Sequence, residues 1–162
     1  MEYSLEFSQR LIEAAKSFID KDEINDETGR AVLYLSLVSC EISLKALLEQ
    51  AGYTIKELKK RSHDFYGLFR DLCFCDLLGT GVPGSKPYTG AELIGEVVDP
   101  NIGNGTVGDL LMCENQGASK YPNGIRYGDF VIHFPPRLML DCASTVCNWA
   151  RDNIGIIKRR IA

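Results

Sequence analysis

A chain of 162 residues, 45% hydrophobic and 25% charged, is long enough for one domain with a sizeable core and is ordinary for a soluble globular protein. Its formal net charge of −4 excludes a surface that is basic throughout, so any nucleic-acid contact has to rest on a local patch. Two basic runs qualify, Lys56, Lys59, Lys60 and Arg61, and Lys158, Arg159 and Arg160, and each reads first as a solvated helix face.

The N-terminus, Met1-Glu2-Tyr3-Ser4-Leu5-Glu6, lacks the basic stretch and apolar core of a signal. The longest apolar run, Ala31 to Leu48, is broken by Ser36, Ser39, Glu41, Ser43 and Lys45, which argues against a membrane span. A cytoplasmic protein is the expectation, and the six cysteines then read as reduced thiols. Neither Cys73/Cys75 nor Cys142/Cys147 has the two-residue gap of a zinc knuckle, so no metal and no cofactor is expected. A site assembled from Cys73, Cys75, Cys113 and a histidine is the minor alternative.

In chain order, the first helix is predicted over Ser4 to Lys21. Phe7, Leu11, Ala14, Ala15 and Phe18 recur at helical spacing and mark its expected buried stripe. Asp20 to Thr28 is polar and makes the first turn, with Asp26 or Thr28 as candidate caps. The second helix is predicted from Glu27 to Ala51, ended by Gly52. It is apolar nearly all round and should be central, with Ser36, Ser39, Ser43 and Ala46 as a small-residue stripe for close packing. Glu41 and Lys45 stand in the favourable order for an i, i+4 ion pair. An acid among so many apolar residues is costly without a partner, so Glu41 either satisfies itself with Lys45 or faces a cleft.

Thr54 to Glu57 has the pattern of a capping box. A further helix is predicted from Ser62 to Leu78, carrying Phe65, Leu68, Phe69, Leu72 and Cys75 and ended by Gly79. His63 and Asp64 lie in its first turn, where the imidazole caps or packs and the carboxylate suits the helix dipole; an acid–base pair is the alternative reading of the two. Gly79 to Gly108 is loose and rich in glycine, with Pro83, Pro87 and Pro100. It resembles a phosphate loop only superficially, because no lysine directly follows the second glycine and Pro87 blocks the helix start. Tyr121-Pro122-Asn123-Gly124 is a turn signal. Ile125 to Tyr127 and Asp129 to Phe134 have strand-like composition, which predicts a small β-hairpin. The last helix is predicted from Pro136 to Ile161.

The order Glu41-x-x-x-Lys45 in a central helix, then Ser62-His63-Asp64-Phe65, resembles the HEPN family of small helical domains. The resemblance covers roughly Phe7 to Leu78 and the final helix. It implies an all-α, antiparallel four-helix bundle in a single domain, residues 1–162, with 79–134 as a Gly-rich insertion that includes the hairpin. Catalytic members carry an arginine and, about four to six residues later, a histidine near the start of the last helix. Here Arg126 is followed after six residues by His133. The resemblance therefore implies a metal-independent endoribonuclease, or an RNA-acting component of a toxin or phage-defence system. His133 would be base or acid, Arg126 the phosphate ligand and Glu41 the orienting partner. The alternative is a non-catalytic helical module for dimerisation or protein interaction. A strand over Ile125 to Phe134 would hold Arg126 and His133 apart within one subunit. The resemblance also implies a two-fold homodimer, to which Leu33, Leu37, Trp149 and Ile156 would contribute apolar surface near the last helix.

Overall fold

The computed structural model describes residues 1–20, 25–102, 105–128 and 134–161. The protein is mostly helical. Three long helices, α1 (Leu5–Ile19), α2 (Asp26–Ala51) and α7 (Pro136–Asn153), pack against one another, and the shorter α3 (Ile55–Arg61), α4 (Phe65–Cys73), α5 (Val107–Asn115) and α6 (Asn123–Tyr127) lie around them. A two-stranded antiparallel sheet joins β1 (Cys75–Leu77) to β2 (Ile157–Arg159).

α2 is the axis of the fold. Its C-cap, Gly52, sits at φ 115°, a left-handed conformation that glycine adopts without penalty. Asn25 is the N-cap, accepting from Thr28 N at 2.8 Å, in place of the expected Asp26 or Thr28. Leu33, Leu37, Leu44, Leu47 and Leu48 are fully buried, against Ile12 and Ala15 of α1 and Met139, Ala143 and Val146 of α7. α2 is long and apolar enough to cross a bilayer, yet 72% of its most apolar window is buried inside the protein, so its apolar surface forms the core.

The stripe that α1 buries shares only Ala15 with the predicted one. Ser8, Ile12 and Ala15 face the core, while Phe7 is 54% exposed, Ala14 is exposed and Leu11 and Phe18 are half-buried. The reason is the small-residue stripe of α2. Ser8 Oγ bonds Ser39 Oγ and Ser43 Oγ, each at 2.6 Å, and donates to the Ser39 carbonyl at 2.9 Å. Three small hydroxyls satisfy one another there and let the two backbones approach closely, which a phenylalanine would prevent.

Other expectations are corrected along the chain. The helix predicted from Ser62 to Leu78 is two elements, because α4 stops at Cys73 and the chain turns into β1. The first strand of the predicted hairpin is absent, and most of its second falls outside the described residues. Ile125 to Tyr127 is part of α6, and residues 129–133, His133 among them, lie outside the described residues. The last helix ends at Asn153, and the chain then runs through Gly155 into β2 rather than continuing to Ile161. Leu33 and Leu37 are fully buried and Trp149 is 8% exposed within one chain, while Ile156 packs partly on the core. None of the four is therefore free surface awaiting a second subunit.

Candidate functional site

Four polar residues share one side of α2, among buried leucines. At 100° per residue, Arg30, Tyr34, Glu41 and Lys45 fall within about 60° of one another around the axis. Glu41 is 7% and Lys45 5% exposed, so both depend on partners. The Glu41 carboxylate accepts from Lys45 Nζ at 2.7 Å, His63 Nδ1 at 2.8 Å and the Tyr121 hydroxyl at 2.6 Å. Burial, and then the charge of Glu41, pushes the Tyr121 phenol far above the usual tyrosine range, so it keeps its proton and donates. Two donors, one of them a cation, thus already converge on an acceptor-only carboxylate. Against such an acceptor His63 Nδ1 carries the hydrogen of the contact, and Nε2 is the ring nitrogen left outside the network.

The His63 side chain is 47% exposed, and among the described residues its Nε2 has no hydrogen-bond partner. It stands between α3 and α4, where Ser62 takes a positive φ of 48° to turn the chain. Asp64 heads α4 without capping it and instead accepts from Asn115 Nδ2 at 2.8 Å, which ties the end of α5 to this turn. Tyr121 packs edge-on against His63 at 5.6 Å between centroids and stacks on Phe65 at 5.8 Å. The Tyr3 ring covers Lys45 Nζ at 5.5 Å. The backbone N–H groups of Glu2 and Tyr3 donate to Glu49 at 2.9 Å each, which pins that covering segment.

A cleft of about 220 Å³ opens further along the same face, lined by Glu27, Arg30, Ala31, Tyr34, Ile125 and Arg126. Arg30 donates to the Ile125 carbonyl and pairs with Glu27 at 3.2 Å. Arg126 is exposed and lies beside the Tyr127 ring at 5.6 Å. The cleft connects to the Glu41 cluster through ring contact between Tyr34 and Tyr121, 6.1 Å apart.

The predicted site residues are thus partly dispersed. Glu41 is the hub of a network. Arg126 joins Arg30 and Tyr34, and Arg30 lies eleven positions, roughly 16 Å of helix rise, from Glu41. His133 lies outside the described residues. The cluster brings in two residues that are not among the predicted catalytic set, His63 and Tyr121. His63 is expected first to cap or pack, with an acid–base pairing to Asp64 as the alternative, and it is one of only two histidines in the chain. Tyr121 was visible only as part of a turn. The two basic runs do come together, since Arg159 stacks 3.9 Å over Tyr53 and pairs with Glu57 on α3 at 2.9 Å. They are largely neutralised there: Arg61 pairs with Asp71, Arg160 with Asp76 and Lys59 with Glu2. Among the described residues no group of three or more His, Cys, Asp or Glu side chains is placed to share a metal ion. Compared with family models, curated proteins and solved structures, the chain has no match.

Proposed function

We propose that the chain is a metal-independent endoribonuclease of the HEPN kind, an RNA-acting component of a toxin or phage-defence system. The observation that carries this reading is the Glu41–His63 pair: a buried carboxylate holding the Nδ1 side of an imidazole whose Nε2 is presented to solvent. That is the arrangement an acid–base catalyst needs. His63 Nε2 takes the proton of a ribose 2′-hydroxyl, and the 2′-oxygen attacks the adjacent phosphorus. The bond to the 5′-oxygen breaks, leaving a 2′,3′-cyclic phosphate, and that oxygen takes a proton from a second acid, for which His133 is the candidate. Glu41 steadies the imidazolium formed on His63. Arg126 and Arg30 bind a phosphate of the same strand in the neighbouring cleft.

Cleavage of a single-stranded RNA in the presence of a chelator tests the reading. His63→Ala is expected to lower kcat on the order of 10² to 10⁴-fold. Arg126→Ala is expected to act mainly on KM. If wild-type protein cuts no RNA, or if His63→Ala, His133→Ala and Arg126→Ala all cut as wild type does, the chain is the non-catalytic helical module instead.

A further inference from the structure

The loose segment after β1 builds something specific. A 3₁₀ turn, Gly90–Leu93, and α5 lie against α4, and a groove of about 330 Å³ runs between them. Its lining is Tyr66, Phe69, Arg70, Cys73, Ile94 and Met112. Phe69, 3% exposed, is the floor; Ile94 and Met112 are half-buried walls; Tyr66, 53% exposed, stands at the rim. The volume lies in the range of small-molecule sites.

The walls are held by two close approaches that only glycine permits. A Cβ on Gly90 would lie 2.5 Å from the Leu72 carbonyl oxygen of α4. A Cβ on Gly108 of α5 would lie 2.4 Å from Ile94 Cγ2. The 3₁₀ turn is thus pressed onto α4, and α5 onto the 3₁₀ turn, so the groove is formed before anything enters it.

One charge breaks the apolar lining. Arg70 is exposed and, among the described residues, has no ion-pair or hydrogen-bond partner. Its neighbours in the chain and sheet differ: Arg61 forks onto Asp71 at 2.6 and 2.8 Å, Arg159 pairs with Glu57 and Arg160 with Asp76. An unpaired guanidinium at the edge of a preformed apolar groove complements an anion carried on an apolar body. A guanidinium fork suits a carboxylate in particular.

We propose that this groove binds a small aryl- or alkyl-carboxylate. The apolar body lies over Phe69 between Ile94 and Met112, and the carboxylate rests on Arg70. The site is independent of the ribonuclease reading, and it gives the glycine-rich insertion a role as one wall of a ligand site.

The test uses the full chain with 4-phenylbutyrate, its neutral counterpart 4-phenylbutanol, and acetate, followed by calorimetry or NMR titration. Alkylation of Cys73 by iodoacetamide, located by peptide mass, is the second readout, because this half-buried residue lines the groove. Phenylbutyrate is expected to bind saturably and to slow Cys73 alkylation. Phenylbutanol is expected to bind about 10- to 100-fold more weakly, the worth of a charge-assisted hydrogen bond. Acetate, without an apolar body, is expected to give no saturable binding. Arg70→Gln should remove the preference for the carboxylate while leaving the alcohol's affinity unchanged. Met112→Trp, checked for native circular dichroism, should fill the groove and abolish binding of both. Equal affinity for acid and alcohol in the wild type, a preference that survives Arg70→Gln, or unchanged Cys73 alkylation at saturating phenylbutyrate would each overturn the proposal.

Discussion

Glu41 shows how one residue organises its surroundings. The sequence places Glu41 and Lys45 one turn apart in an apolar helix, and from that alone an i, i+4 pair is legible. What the spacing does not convey is that the carboxylate accepts two more bonds, from residues 22 and 80 positions away. Long-range polar contacts leave no periodic trace. The energetic consequence is asymmetric. Glu41→Ala leaves the Lys45 ammonium buried and unpaired, and is expected to cost about 3–5 kcal/mol in urea unfolding. Glu41→Gln with Lys45→Met removes both charges, keeps an acceptor for Tyr121 and should recover most of that loss. A double variant as unstable as Glu41→Ala would mean that the ion pair itself, not avoidance of an orphaned charge, is what matters. A second residue-scale prediction concerns pH. Burial foremost pushes the Tyr53 phenol and the Cys75 thiol up to about 12, from ordinary values of 10.0 and 9.0. Both groups hold their protons more tightly folded than unfolded. Their contribution is therefore intact below about pH 9 and is lost as pH climbs from there towards 12. Unfolding free energy should decline across that window, and the decline should be shallower in Tyr53→Phe, whatever the cost of losing the hydroxyl's bond to the Asp71 carbonyl.

At the scale of elements, helical periodicity located the long helices well and their faces less well. α1 is the instructive case. Of the predicted Phe7, Leu11, Ala14, Ala15 and Phe18, only Ala15 is fully buried, beside Ser8 and Ile12, so hydrophobicity alone selects a face rotated from the packed one. The contact is decided instead by fit: Ser8 meets Ser39 and Ser43, and small groups permit the close packing. The Thr54 to Glu57 capping box was legible because both halves of it are local, Thr54 Oγ1 accepting from Glu57 N at 3.2 Å and Glu57 from Thr54 N at 2.8 Å. β2 was not, since a three-residue strand paired with Cys75–Leu77 across some eighty residues has too little pattern to detect. The insertion could be recognised as glycine-rich, but the use of those glycines depends on what lies opposite them. Gly90→Ala tests that point. Its Cβ would meet Leu72 backbone, which cannot swing aside, so a loss of about 1–3 kcal/mol is expected, from overpacking. Chemical denaturation would read it, and a loss below a few tenths would show that the 3₁₀ turn is free to move off α4.

For the whole molecule, assembly is the property that the corrected faces change most. The apolar residues first set aside for a dimer, Leu33, Leu37 and Trp149, are buried in one chain. The outer side of α7 is polar, with Arg137, Asp141, Asn148 and Arg151 exposed. What α1 leaves exposed is Phe7 and Ala14, with Leu11 half-buried between them, and their 4-3 spacing is that of a helix–helix seam. In an antiparallel two-fold pairing centred between Leu11 and Ala14, Leu11 of one chain opposes Ala14 of a second copy, so large meets small at the centre and Phe7 flanks the seam. Such a dimer also lies beside α7, because α1 packs on α7 within each chain. One helix of 15 residues, about 22 Å long, offers an interface at the small end of the biological range, so dissociation in the micromolar range is expected. Light scattering should give about twice the 18.0 kDa chain mass at high concentration, falling towards 18.0 kDa on dilution. Phe7→Glu should hold the protein at the lower mass with its helix content unchanged. A mass of 18.0 kDa at every concentration, or a dimer indifferent to Phe7→Glu, would remove α1 as the interface.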